Sequence, residues 1–130
     1  MSVNAVHLWI LGIVVDSGAR SSKRYYCPYC LRPQAKLPRH LASRHHGEAA
    51  VKEYLDCTDT HTKNLLLTRI RNLGNHWYNC SVLKSGTGVL NVVYRSKGNA
   101  TDYSPCTFCL GYYPNSAISS HLKRCAHKTK

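Results

Sequence analysis

Two pairs of cysteines, each with two residues between its members, constrain the fold of this 130-residue chain more than any other feature. Cys27 and Cys30 form the first pair, and Cys106 and Cys109 form the second. Histidines follow each pair at a distance that suits a short helix. The chain has seven Cys, an odd number that fits a framework of disulfides poorly. Cysteine pairs with downstream histidines instead indicate metal binding in a reducing compartment.

The spacing of these residues has a chemical reason. A Cys-x-x-Cys turn holds its two sulfurs about 3.5–4 Å apart, which suits two corners of a zinc tetrahedron. Two ligands four or five residues apart on a helix share one face and can supply the other two corners. Because a segment of about 25 residues builds little core of its own, the metal would take over that role. We therefore expect two zinc ions and two ligand sets, which are Cys27, Cys30, His40 and His45, and Cys106, Cys109, His121 and Cys125.

The fourth ligand of each set has an alternative nearby. His46 follows His45 and would lengthen the gap after His40 from four residues to five, and we favour His45. His127 could replace Cys125, but a thiolate binds zinc strongly, so we favour Cys125. A further set lacks a Cys-x-x-Cys pair and is more simply interpreted as partly buried thiols and surface histidines; it comprises Cys57, His61, His76 and Cys80.

Both segments resemble the two-cysteine two-histidine zinc finger family, and the second is similar to the variant that ends in cysteine. Tyr25 lies two residues before Cys27, where the family has an aromatic residue. Leu37 and Ile118 each lie three residues before the first histidine, at the position of the family's core leucine. The resemblance covers about 45 residues and implies a zinc-stabilised ββα unit over each segment.

The match departs from the family in ways that bear on DNA reading. Nine residues separate Cys30 from His40, where the family usually has about twelve. Pro38 belongs in a first helical turn, so the first helix should begin near Leu37. The positions that match the family's base-reading residues are Pro33, Lys36 and Arg39, then Pro114, Ala117 and Ser120. None of the last three can make a bidentate base contact, and Pro33 and Lys36 should precede the helix, so tandem base readout is not expected.

The charge of the chain favours a polyanion as partner. There are 18 Lys and Arg against 6 Asp and Glu, a formal net charge of +12, and both cysteine-containing segments lack acidic residues. We expect a nuclear protein that binds nucleic acid through phosphate contacts, with DNA favoured over RNA. The residues predicted to make these contacts are Lys23, Arg24, Arg32, Lys36, Arg39, Arg44, Lys123, Arg124 and Lys128.

The middle of the chain contains helical and strand-like patterns. A helix is expected over Glu48 to Asp56, with Val51, Tyr54 and Leu55 on one face. A second should begin at Asp59 or Thr60 and end at Gly74, followed by a hairpin of Ser81–Leu83 and Val89–Arg95. The predicted fold is α+β, with two finger-like ββα units flanking a helix–hairpin block. Its parts are an apolar arm and linker (1–22), a first zinc finger (23–47), the middle block (48–102) and a second zinc finger with a basic tail (103–130). Within the arm, Val3 to Val15 is expected to be a short strand or loosely packed.

Other classes of protein fit the sequence less well. The longest apolar run, Leu8 to Val15, is too short to span a bilayer. An enzyme is not expected, since the chain lacks a phosphate-binding glycine loop, a GxSxG or HExxH motif and paired carboxylates. Secretion is a weaker alternative, because a secretory signal normally begins with basic residues and this chain has no Lys or Arg before Arg20. The main alternative function is a protein-interaction adaptor that docks a partner on Leu65–Leu73 or on the Val89–Tyr94 strand.

Overall fold

A computed structural model describes residues 13–15, 24–92 and 100–128 of the chain. The fold is α+β, and two ββα units flank a helical middle, as the sequence predicts. The elements in chain order are β1 (Ile13–Val15), β2 (Tyr25–Tyr26), β3 (Pro33–Gln34), α1 (Leu37–Arg44), α2 (Ala49–Asp56), α3 (Thr60–Ser85), β4 (Gly88–Leu90), a short 3-10 helix (Ala100–Asp102), β5 (Tyr103–Pro105), β6 (Tyr112–Pro114) and α4 (Asn115–Arg124).

Each ββα unit consists of a short antiparallel hairpin followed by one helix. In the first unit β2 pairs with β3 and α1 follows, and in the second β5 pairs with β6 and α4 follows. Helix α1 begins at Leu37 with Pro38 in its first turn, as predicted, because proline needs no hydrogen-bond acceptor there. Leu37 and Leu41 of α1 are fully buried.

The long helix α3 begins where the sequence predicts and ends well beyond the predicted position. The Asp59 side chain accepts a 2.8 Å hydrogen bond from the Thr62 backbone N–H and caps the helix. The predicted end at Gly74 is wrong, because α3 continues to Ser85 and is closed by Gly86 in the left-handed conformation, at φ 80°. Gly74 instead lies where the backbone of Tyr26 crosses the helix. Trp77, which follows the predicted end at Gly74, therefore lies within the helix.

The predicted middle hairpin is also wrong. Ser81–Leu83 belongs to α3, and Gly88–Leu90 pairs in parallel with Ile13–Val15 near the amino end. Residues 93–95 of the predicted strand and residues 1–12 of the predicted arm lie outside the described residues. The α2 helix forms as predicted and buries Val51 and Tyr54, but Leu55 is 38% exposed and does not join that buried face.

In the described part of the chain, three apolar clusters hold the elements together. The first joins the first unit to α2 and α3, through residues that include Leu37, Val51 and Ile70. The second joins the carboxyl-terminal half of α3 to β1, β4 and the hairpin of the second unit; its members are Ile13, Val82, Leu90, Val92, Ala100, Tyr103 and Tyr112. The third lies inside the second unit, around its cysteines. Among the described residues, no helix is both long and apolar enough to cross a membrane.

Candidate metal centres

The first unit brings four potential metal ligands to one point. Cys27 and Cys30 come from the turn between β2 and β3, and His40 lies on α1. His45 follows as the C-cap residue of that helix. One ligand atom from each residue lies within 4.8 Å of all the others. These are the four residues that the spacing predicts as the first ligand set.

The distances within this cluster fit the edges of a zinc tetrahedron. The Cys30 sulfur lies 3.4 Å from His40 Nε2, and the Nε2 atoms of His40 and His45 lie 3.1 Å apart. Zinc bond lengths imply edges of about 3.6 Å between sulfur and nitrogen and about 3.3 Å between two nitrogens. The side chains therefore already have nearly the separations that one bound ion requires.

The second unit repeats this arrangement with three thiols and one imidazole. Its ligand atoms, from Cys106, Cys109, His121 and Cys125, also lie within 4.8 Å of one another. The Cys109 sulfur is 3.5 Å from His121 Nε2, again close to a tetrahedral edge. All three thiols are buried, whereas in the first unit only Cys27 is fully buried.

The two cysteine turns share one backbone conformation, which the sequence analysis did not identify. Leu31 and Leu110, each directly after the second cysteine, have φ values of 58° and 63°. Leucine disfavours this left-handed region, so the rest of the turn must stabilise it. It does so in the same way twice, since each leucine N–H donates a 2.8 Å hydrogen bond to the carbonyl of the first cysteine. The signal in the sequence is the Leu that follows each Cys-x-x-Cys.

The electrostatics of the thiols depend on burial and on backbone donors. Burial raises the pKa of Cys109 to about 12, and the neighbouring thiols of Cys106 and Cys125 add to this. Burial also acts to raise the pKa of Cys106, but hydrogen bonds from the backbone of Cys109 and Phe108, together with those of the Cys109 and Cys125 side chains, outweigh it and the net pKa falls. A bound divalent cation would favour the thiolate form of each of these cysteines, because its positive charge offsets the cost of burying a negative one.

The surroundings of His40 and His121 favour the neutral imidazole, which is the form that binds metal. Burial is the main cause that lowers the pKa of both His40 and His121, and nearby cations lower it further. Both imidazoles are therefore neutral near pH 7, which leaves a nitrogen lone pair available. The clusters can each hold a metal ion without first losing a proton from these two rings.

The structure distinguishes the alternatives that the sequence leaves open. His45 lies in the first cluster, while His46 is exposed and lies outside it. Cys125 lies in the second cluster, whereas His127 Nε2 lies 3.0 Å from the carbonyl oxygen of Leu65 and links the second unit to α3.

The four residues of the possible third set do not meet. His61 and His76 are fifteen residues apart on α3, which places them about 22 Å apart along the helix axis. Cys80 lies 3.6 Å from His76 Nε2, and Cys57 donates a 3.5 Å hydrogen bond to the carbonyl of Asp59. Within the described residues, no third group of three or more potential ligands comes together.

The predicted phosphate-binding residues lie on the surface of the two units. Lys23 lies outside the described residues; the other eight, Arg24, Arg32, Lys36, Arg39, Arg44, Lys123, Arg124 and Lys128, are all exposed. Three of them, Arg24, Lys36 and Arg39, line one open groove beside the first cluster. Gln34, Ser43 and the cluster residue His40 also line this groove.

Comparison of the chain with protein-family models, with curated proteins and with solved structures found no match. The geometry of the two clusters and the surface around them is therefore the basis for a functional proposal.

Proposed function

We propose that this is a zinc-stabilised protein that binds nucleic acid, preferably DNA, through phosphate contacts on its basic surface. Two thiols with two imidazoles, and three thiols with one imidazole, are donor sets that suit zinc and that close a tetrahedron without an open position. Closed sites of this kind are structural. Zinc at both centres would hold the ββα units in shape while their outer surfaces contact the ligand.

The groove beside the first cluster is the observation that carries the proposal. Arg24 enters it before β2, Lys36 precedes α1, and Arg39 projects from the first turn of α1. All three are exposed, and no acidic residue occurs between 24 and 47. Long cationic side chains around an open groove can contact successive phosphates without desolvating a buried charge.

The structure of the first unit favours phosphate contact over base readout. Pro33 lies in β3 and Lys36 precedes α1, so the helix presents only Arg39 from the family's base-reading positions. In the second unit the corresponding positions are Pro114, Ala117 and Ser120, which supply no bidentate donor. The exposed cations near the end of α4, Lys123, Arg124 and Lys128, would add further phosphate contacts.

Fluorescence anisotropy across a salt series tests this function. The zinc-loaded, reduced protein is titrated with duplex DNA, single-stranded RNA and heparin. We expect duplex DNA to bind more tightly than heparin at moderate salt, with log affinity falling linearly with log salt. Substituting Lys36→Gln and Arg39→Gln together should reduce that slope by about two, roughly one per lost phosphate contact.

The matched control carries the same charge change away from the groove. Lys52→Gln with Lys84→Gln alters exposed residues of α2 and α3 and should leave the slope nearly unchanged. If the salt slope fell equally in the two double variants, or if all three polyanions bound equally, the net charge would act only as a non-specific field. Native mass spectrometry of the same samples should find two zinc ions in each chain.

A protein-interaction adaptor is the second proposal, and exposed apolar side chains favour it. Trp77 on α3 is 53% exposed, and Leu31 on the first cysteine turn is 56% exposed. The surfaces that the sequence suggested are less suitable, because Leu67, Ile70 and Leu90 are buried in the apolar clusters. Trp77→Ala should weaken binding of a protein partner, and that binding should depend little on salt, in contrast to binding of a polyanion.

A further inference from the structure

A partly open cavity of about 160 Å³, with one polar wall, lies where the first unit, α3 and the second unit meet. One wall comes from α3, and the others come from Tyr25, from residues 91–92 and from the turn that leads into β6. Arg71, Asn72 and Asn75 are among its polar lining residues, and Val92, Leu110 and Tyr112 contribute apolar surface. This volume is similar to that of an engineered cavity that holds benzene, so a small ligand fits with little rearrangement.

The wall formed by α3 is polar where an inward-facing helix surface is usually apolar. Thr68, Arg71, Asn72 and Asn75 recur at three- and four-residue spacing and so lie on one face of the helix. Burying such groups costs free energy unless each finds a hydrogen-bond partner. These half-buried side chains give the cavity a row of hydrogen-bonding groups that a polar ligand could use.

Arg71 gives the cavity a positive charge with an unused donor. Its guanidinium carbon lies 4.6 Å from the centre of the Tyr25 ring, which fixes the side chain by a cation–π contact. Within the described residues, its Nε atom is buried and has no hydrogen-bond partner. No acidic residue lines the cavity in the part of the chain that the structure describes. The buried Nε–H belongs to a half-buried cation with no acidic side chain beside it in the cavity, and a bound anion would give it a hydrogen-bond acceptor.

The neighbouring amides add further donors. Asn75 Oδ1 accepts a 3.0 Å hydrogen bond from the Tyr26 backbone N–H and a 3.4 Å hydrogen bond from Asn91 Nδ2. Because its oxygen is used there, Asn75 has its Nδ2 group left to donate elsewhere. Asn72 lies one turn earlier on the same face of α3. Arg71, Asn72 and Asn75 together offer donors of the kind that bind a tetrahedral oxyanion.

We propose that this cavity binds a phosphate group, with Arg71 supplying the charge and the amides of Asn72 and Asn75 supplying further donors. Inorganic phosphate, a nucleotide or the terminal phosphate of a nucleic-acid strand all present this chemistry. The cavity does not include the groove of Arg24, Lys36 and Arg39, so the inference stands independently of the proposed nucleic-acid function.

NMR titration of the ¹⁵N-labelled protein, loaded with zinc and freed of excess metal, tests the inference. Inorganic phosphate, a nucleoside 5′-monophosphate and the matching nucleoside are added at constant ionic strength. We expect saturable shifts of the Arg71 Nε–H and of the Asn72 and Asn75 side-chain amides with the two phosphates, at concentrations up to about 10 mM. The nucleoside should cause none.

Two substitutions and a control complete the experiment. Arg71→Gln should weaken phosphate binding about tenfold or more, whereas Arg69→Gln, an exposed residue of the same helix, should change it less than about twofold. Should Arg71→Gln fail to fold, Asn72→Asp places a carboxylate in the cavity at nearly constant volume and should abolish binding by repulsion. The proposal would be overturned if the native protein showed no saturable shifts, or if the nucleoside bound as well as the phosphates. It would also be overturned if Arg71→Gln and Arg69→Gln weakened phosphate binding equally, or if Asn72→Asp left phosphate binding unchanged.

Discussion

Gly74 sets the distance between α3 and the first unit by having no side chain. A Cβ built at this position would lie 1.7 Å from the carbonyl oxygen of Tyr26 and 2.7 Å from its carbonyl carbon. Both are backbone atoms, so the contact cannot be relieved by turning a side chain. Alanine is a better helix former by about 1 kcal/mol, but that gain is smaller than the cost of forcing two packed elements apart.

Gly74→Ala should therefore lower the free energy of unfolding by about 3 kcal/mol or more, measured by urea denaturation of the zinc-loaded protein. Gly47→Ala is the matched control, because nothing lies within 4 Å of a Cβ at that position. It should change the free energy of unfolding by less than about 1 kcal/mol. Similar values for the two variants would show that α3 and the first unit do not pack as closely as described.

His45 and His46 are adjacent, and only the first lies within the first cluster. His45→Ala should reduce the zinc content from two ions to one, since three remaining ligands hold zinc weakly in a closed site. His46→Ala should retain both ions, because that side chain is exposed. Native mass spectrometry gives the metal count directly. Loss of an ion from His46→Ala, with retention in His45→Ala, would reverse the assignment.

Among the elements, α3 holds the segment after β4 by means of one side chain. Asn79 is fully buried, and its amide donates to the carbonyl of Asn91 and accepts from the Asn91 N–H, both at 2.8 Å. Asn91 directly follows β4, the strand that pairs with β1, so this contact attaches the end of that strand to α3. The Asn79 side chain thus makes the two hydrogen bonds with the Asn91 backbone that a neighbouring strand would otherwise make.

Asn79→Ala leaves both backbone groups of Asn91 without this partner in a buried setting, and should cost about 3 kcal/mol. Amide hydrogen exchange should show faster exchange for β4 and for Asn91, with the first unit little affected. Asn64→Ala changes an exposed residue of the same helix and serves as control. Unchanged exchange in β4 would mean that pairing with β1 alone holds the strand.

How well the elements can be predicted depends on how local their causes are. The starts of α1 and α3 follow from Pro38 and Asp59, which act within one turn, and both are correct in the sequence analysis. The end of α3 was misplaced because Gly74 and Gly86 look alike in sequence, and only the distant Tyr26 distinguishes their roles. The parallel partner of β4 lies more than 70 residues away along the chain, and no turn signal points to it.

The same reasoning applies to the sites. The eight predicted ligands come together in two groups of four, as their spacing predicts, because a Cys-x-x-Cys turn and a helical pair fix geometry locally. The sequence does not predict the cavity, since Arg71, Asn72 and Asn75 lie on a helix whose apolar residues dominate the pattern. This face of α3 is seen to line a cavity only in the folded structure, where the first and second units both pack beside it.

In the molecule as a whole, α3 connects the two units but relates to them differently. The first unit shares an apolar cluster with α2 and the first half of α3, and that cluster includes the ligand Cys27. The cluster around the second centre contains only residues of the second unit. Loss of the first metal should therefore spread directly into α2 and the first half of α3, whereas loss of the second can reach α3 only indirectly, through Tyr103 and Tyr112 in the second apolar cluster.

Cys30→Ala and Cys109→Ala test this asymmetry, since each removes the second cysteine of its pair. Hydrogen exchange of the zinc-loaded Cys30→Ala variant should quicken in α1, in α2 and in the first half of α3, because Leu67 and Ile70 lose packing partners. In Cys109→Ala the faster exchange should be concentrated between residues 103 and 128, with α2 protected as in the native protein. Equal loss of protection in α2 in both variants would mean that the molecule unfolds as one cooperative unit, and that the contact of His127 with Leu65 couples the second centre to α3 more strongly than the apolar clusters indicate.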